Sequence, residues 1–158
     1  MKKFIAAGAI GLMALGAASS ASAWRFVSPV DAPFTISGGV TVSTTAVSLP
    51  CTASMSATTV GRGATITGAT FSGGACGALS AAGLPWHITV GGPHSIKIHG
   101  MSVSAVVLGI CGPGDVRAQL NVHGKIVMSG ANLPGSILPC SVSGTLSTHP
   151  NLLIGGHQ

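Results

Sequence analysis

Four cysteines at matching places in two similar halves constrain this chain more than any other feature. The first half carries Ile36-Ser-Gly38, Leu49-Pro-Cys51, Ile66-Thr-Gly-Ala-Thr-Phe71 and Cys76. The second carries Ile98-His-Gly100, Ile110-Cys111, Met128-Ser-Gly-Ala-Asn-Leu133 and Cys140. The halves, about 34–90 and 96–150, read as two copies of one β-unit. Four cysteines allow three disulfide connectivities. If each unit is self-similar, Cys51 pairs with Cys76 and Cys111 with Cys140. On the chain-entropy account each bridge contributes roughly 3 to 4 kcal/mol. The rival use of four cysteines is a zinc site, but no Cys-x-x-Cys or Cys-x-x-His occurs, so neither metal nor cofactor is expected.

Residues 1–23 have the parts of a secretory signal: Lys2 and Lys3, an apolar stretch from Phe4 to Ala18, and the small-residue site Ala21-Ser22-Ala23. The apolar stretch is shorter than the roughly 20 residues a membrane span needs and is rich in Ala and Gly. Cleavage leaves an exported domain, 24–158, with no transmembrane segment, and an oxidising compartment suits its disulfides. Extracellular space, cell surface and periplasm all fit. In that mature part Arg25, Arg62, Lys97, Arg117 and Lys125 oppose Asp31 and Asp115, a net charge of +3. Five scattered cations make no stripe for phosphate backbones, so nucleic acid is not an expected partner.

Period-two alternation dominates the mature chain. Leu49, Cys51, Ala53 and Met55 share one parity against Ser48, Thr52, Ser54 and Ser56, and Cys140, Val142, Gly144 and Leu146 alternate with Ser141, Ser143, Thr145 and Ser147. Cys51 and Cys140 should therefore point inward. Val116, Ala118, Leu120 and Val122 alternate with Arg117, Gln119, Asn121 and His123, which predicts a further half-exposed strand. Parity slips at Gly68-Ala69 and at Gly130-Ala131, as a β-bulge in each copy would require, although a Gly-rich chain offers such pairs by chance. Turn signals stand at Ser28-Pro29, Gly61-Arg-Gly63, Gly73-Gly74, Gly91-Gly-Pro93, Gly112-Pro-Gly-Asp115 and Leu133-Pro-Gly135. Ala78 to Gly83 could form one short helical turn. The pattern predicts an all-β sandwich or barrel-like domain. An outer-membrane barrel would want aromatic girdles, and the mature chain has two Trp, three Phe and no Tyr.

The inventory leaves little room for catalysis. There is no Glu, Asp31 and Asp115 sit in turn-like contexts, and no Gly-x-Ser-x-Gly elbow occurs. His87, His94, His99, His123, His149 and His157 form no ligand pair, and parity places His99 and His123 on outward faces. Protonating all six would raise the mature charge from +3 to +9, a possible response of adhesion or self-association to pH. The outward strand faces are hydroxyl-rich and nearly uncharged, lacking the charged residues that usually guard sheet edges.

Leu49-Pro-Cys51-Thr-Ala53, Ala69-Thr-Phe-Ser-Gly-Gly74 with Cys76, Gly83-Leu-Pro-Trp86, Cys111-Gly-Pro113 and Cys140-Ser-Val-Ser-Gly-Thr-Leu146 resemble the exported activators of alkane oxidation of pseudomonads and relatives. The similarity spans nearly all of the mature chain, and the many histidines depart from it. The resemblance implies a small secreted accessory protein that promotes growth on long-chain hydrocarbons, with no catalytic residue or cofactor. Action at a hydrocarbon or lipid interface, by emulsification, would follow, with Trp24, Leu84 and Trp86 as candidate contacts. The alternative for Trp86 is a core position beside Pro85. A different reading is a self-assembling cell-surface fibre or biofilm matrix subunit that joins neighbours by strand addition.

Overall fold

A computed structural model describes residues 24–156; residues 1–23, expected from sequence to be a secretory signal, and His157 and Gln158 lie outside the described residues. The eleven strands are β1 (Trp24–Ser28), β2 (Pro33–Ser43), β3 (Ser48–Val60), β4 (Gly63–Ser72), β5 (Ser80–Ala82), β6 (Trp86–Gly92), β7 (Ser95–Ala105), β8 (Gly109–Leu120), β9 (Lys125–Leu133), β10 (Cys140–His149) and β11 (Leu153–Gly156). A 3-10 helix spans Gly74–Ala78. This turn falls earlier than the Ala78 to Gly83 stretch suggested by sequence, part of which instead forms β5.

Alternating apolar residues drive these strands into one closed barrel. Each of β2, β3, β4, β6, β7, β8, β9 and β10 pairs antiparallel with the next, and β10 pairs with β2 to complete the ring. Closure pairs most strand edges, but β8 and β9 meet at only two residue pairs, so part of the edge between them stays open. The short β5 pairs with the upper part of β7, and β1 pairs with β11 in a separate ribbon.

Parity decides which side chains fill the barrel. In β3, Leu49, Cys51, Ala53, Met55 and Ala57 are buried while Ser48, Thr52, Ser54 and Ser56 are exposed. Hydroxyls line up across strands on the outside, as in Ser147↔Ser37↔Ser54↔Thr70. A membrane-spanning barrel turns its apolar side chains outward, the opposite arrangement. Eight strands leave an interior that side chains can fill. Here they do: the apolar void among Met55, Met101 and Met128 is about 10 Å³, too small for a hydrocarbon chain.

Both bulges suggested by the parity slips are present. Ser56 faces Gly68 but Ala57 faces Ile66, and Val142 faces Ala131 but Gly144 faces Met128, so each copy carries one extra residue on β4 or β9. Gly130 takes φ +70 within its bulge, a conformation that disfavours residues bearing a Cβ.

Two sequence expectations are corrected. Gly112-Pro-Gly-Asp115 is no turn; it lies inside β8, where two pairing shifts against β7 absorb it as irregularity. Gly112 is needed there because, at φ +107, a Cβ would strike the Met101 carbonyl. The chain reverses earlier, at Val106-Val-Leu108. Val122 is likewise not an inward strand residue. Strand β8 ends at Leu120, and Val122 is exposed in the following turn because the Asn121 side chain accepts from the His123 and Lys125 amides and closes it.

Candidate functional site

The up-and-down order puts alternate connections at opposite ends of the barrel. At the upper end lie residues 44–47, 73–85, 106–108 and 134–139. None of these is Lys, Arg, Asp, Glu or His. The lower end holds the other turns, with Asp31, Arg62, His94 and His123, and the β1/β11 ribbon with Arg25. All twelve ionisable Asp, Lys, Arg and His side chains of the described residues sit at the waist or below it.

Both disulfides belong to the upper end. Cys51 near the start of β3 bonds Cys76 in the 3-10 helix, and Cys111 near the start of β8 bonds Cys140 at the start of β10. The pairing expected from the duplication holds, and Cys51 and Cys140 point inward. Two disulfides fit an oxidising, exported compartment.

The second bridge ties the β7–β8 turn to the β9–β10 loop, and the backbone reinforces it. The Ile110 amide donates to Ser136 Oγ at 2.8 Å, the Ser136 amide to the Ile110 carbonyl at 2.8 Å, and the Gly112 amide to the Pro134 carbonyl at 2.7 Å. Ile137 lies over Gly109, within 3.0 Å of where a Cβ would stand. From this knuckle Val106, Val107, Ile110 and Ile137 project, 92%, 61%, 49% and 68% exposed.

The residues singled out by sequence as interface contacts are dispersed. Trp86 is fully buried and its indole donates to the Ala82 carbonyl at 2.9 Å, so the core reading describes it and it has no surface to offer. Leu84 is at the upper end but half-buried against the core. Trp24 is half-buried in the β1/β11 ribbon at the lower end, its ring packed on Gly156. Val106, Val107 and Ile110 escaped sequence reading because Val103 to Ile110 is an apolar run interrupted only by Ser104 and Gly109, which reads as strand interior, and Ile137 because it lies in a separate loop. The available signal was the absence of charge from every upper connection.

One arrangement has the form of a catalytic relay. Thr89 Oγ1 and His99 Nε2 are 2.8 Å apart, and His99 Nδ1 is 3.2 Å from Asp115 Oδ1. A hydroxyl, an imidazole and a carboxylate in that order resemble an acyl-transfer triad. Acyl transfer also needs paired donors for an oxyanion and a site to hold substrate. Here the groups lie on the outer wall, where the strands direct their backbone into barrel pairing, as in His87↔His99 and Thr89↔Lys97. Asp115 is thus a strand residue in a cross-strand polar contact. Beside it, β8 and β9 share only two residue pairs, leaving a polar furrow of about 510 Å³ lined by Asp115, Arg117, Gln119 and Asn132.

Fold and site together define a disulfide-stapled all-β barrel whose distinctive feature is an end without charge. The chain belongs to the family described as alkane oxidation protein activator, PraA/PraB-like, which matches it over residues 1–155. No curated protein and no solved structure matches it.

Proposed function

We propose that the protein, exported after loss of residues 1–23, is a non-enzymatic accessory that promotes the use of long-chain alkanes by acting at the oil-water boundary. It works outside the inner membrane, in the medium or at the cell surface. The observation that carries this reading is the segregation of charge. Every ionisable side chain of the described residues stands at or below the waist, and the opposite end combines no charge with exposed aliphatics. Such a particle lowers its free energy by placing one end against oil and the other in water.

Two further features support a physical and not a chemical role. The barrel interior is filled, which directs contact with hydrocarbon to the outside. The Thr89, His99 and Asp115 relay lies on the outer wall beside an open furrow and not in an enclosed site. Purified mature protein should emulsify hexadecane and lower its interfacial tension well beyond a small protein of matched charge. Equal behaviour of the two would defeat the proposal.

A further inference from the structure

We infer that the knuckle formed by the β7–β8 turn and the β9–β10 loop is the element that enters the apolar phase, and that this phase is a neutral liquid hydrocarbon surface and not a phospholipid bilayer. The inference rests on the interfacial reading above and adds the residues and the partner.

The turn itself supplies the first argument. Val106-Val-Leu108 reverses the chain ahead of Gly109, which at φ +72 supplies the left-handed residue the reversal needs, so the turn itself does not call for β-branched residues at 106 and 107. Val106 is almost wholly exposed and Val107 mostly so, so neither contributes much to the core. Folding gains little from valines there, whereas contact with an apolar phase gains from each.

Rigidity is the second argument. The Cys111–Cys140 bridge, the reciprocal bonds between Ile110 and Ser136, and the Gly112 to Pro134 bond hold both loops in one arrangement. Aliphatics fixed before contact lose little conformational freedom on burial. A liquid can mould itself around such a convex projection.

Charge decides between the two apolar phases. Protein elements that enter phospholipid commonly flank their apolar residues with Lys or Arg for the headgroups and with Trp or Tyr at the interfacial level. The upper connections have no cation, the chain has no Tyr, Trp86 is buried and Trp24 lies at the far end. An uncharged shoulder complements a surface that has no headgroups.

The lower end provides matched controls. Val60 and Val122 are 61% and 65% exposed, but Arg62 and His123 stand close to them in the chain. The experiment measures partition of mature protein onto hexadecane droplets and onto vesicles of phosphatidylcholine with phosphatidylglycerol. Val106→Asp with Ile137→Asp should reduce partition onto hexadecane about tenfold or more, while Val60→Asp and Val122→Asp should stay within about twofold of wild type. Val106→Ser with Ile137→Ser takes the place of that pair if circular dichroism finds it unfolded. Wild type should prefer droplets to vesicles.

Undiminished adsorption of the 106/137 variant beside an adsorbing wild type would overturn the knuckle while leaving the interfacial reading intact. Stronger binding to vesicles than to droplets would overturn the neutral-phase assignment. A wild type that adsorbs to neither would instead defeat the proposed function itself.

Discussion

Burial separates side chains that look interchangeable in composition. Trp86 and Val106 are both hydrophobic, yet one is sealed in the barrel and the other stands almost free in solvent. Trp86→Ala should destabilise the protein by about 3 to 5 kcal/mol in urea unfolding, through lost burial and the cavity left behind. Val106→Asp should change stability by less than about 0.5 kcal/mol, because nothing packs around the site. Among the buried polar residues, Thr148 links two segments through its side chain. Its buried hydroxyl donates to the Gly124 carbonyl at 2.9 Å and accepts from the Leu152 amide at 2.7 Å, joining the β8–β9 turn to the segment before β11. Thr148→Val should cost about 1 to 3 kcal/mol by the same measurement, since the Leu152 amide then loses its acceptor, while the Gly124 carbonyl keeps the Thr148 amide.

At the level of strands and loops the two disulfides have similar energetic weight but unequal consequences for the site. Each closes a sequence separation of 25 or 29 residues. Replacing either pair by serine should lower stability by about 2 to 5 kcal/mol. Only Cys111→Ser with Cys140→Ser frees the knuckle, so adsorption to hexadecane should weaken for that pair and persist for Cys51→Ser with Cys76→Ser, measured where both remain folded. The duplication made these pairings readable from sequence, and the parity slips at Gly68 and Gly130 located the bulges, because both features repeat over short stretches. Other elements escaped for physical reasons. Gly112-Pro-Gly-Asp115 has every local mark of a turn, and only its alignment with β7 keeps it in a strand. The apolar run through Val106 hides a reversal whose one local mark is Gly109, at φ +72. The exposed knuckle depends on where two loops distant in sequence meet, and no single stretch encodes that.

For the whole molecule, closure and asymmetry matter together. Closure joins β10 to β2, the last and first strands of the barrel, and leaves a hydroxyl-covered wall whose loosest seam is the two-pair junction of β8 with β9. Parity could set inside from outside but could not choose between a sandwich and this ring. Asymmetry follows from the ring's up-and-down order, which gathers four uncharged connections at one end. Because that end carries no ions, adsorption to hexadecane should change little between about 10 mM and 500 mM salt, whereas attachment through the five Lys and Arg side chains of residues 24–156 would weaken steeply. Tensiometry across that range separates the two. On oil the molecule should stand with its uncharged end immersed, and the depth of a label reads that orientation. With a spin label at position 107 or 122 of otherwise unchanged mature protein on hexadecane droplets, the label at 107 should become accessible to an oil-soluble relaxation agent while that at 122 stays accessible to a water-soluble one. Equal exposure of both labels to water, or immersion of 122 in place of 107, would contradict the account.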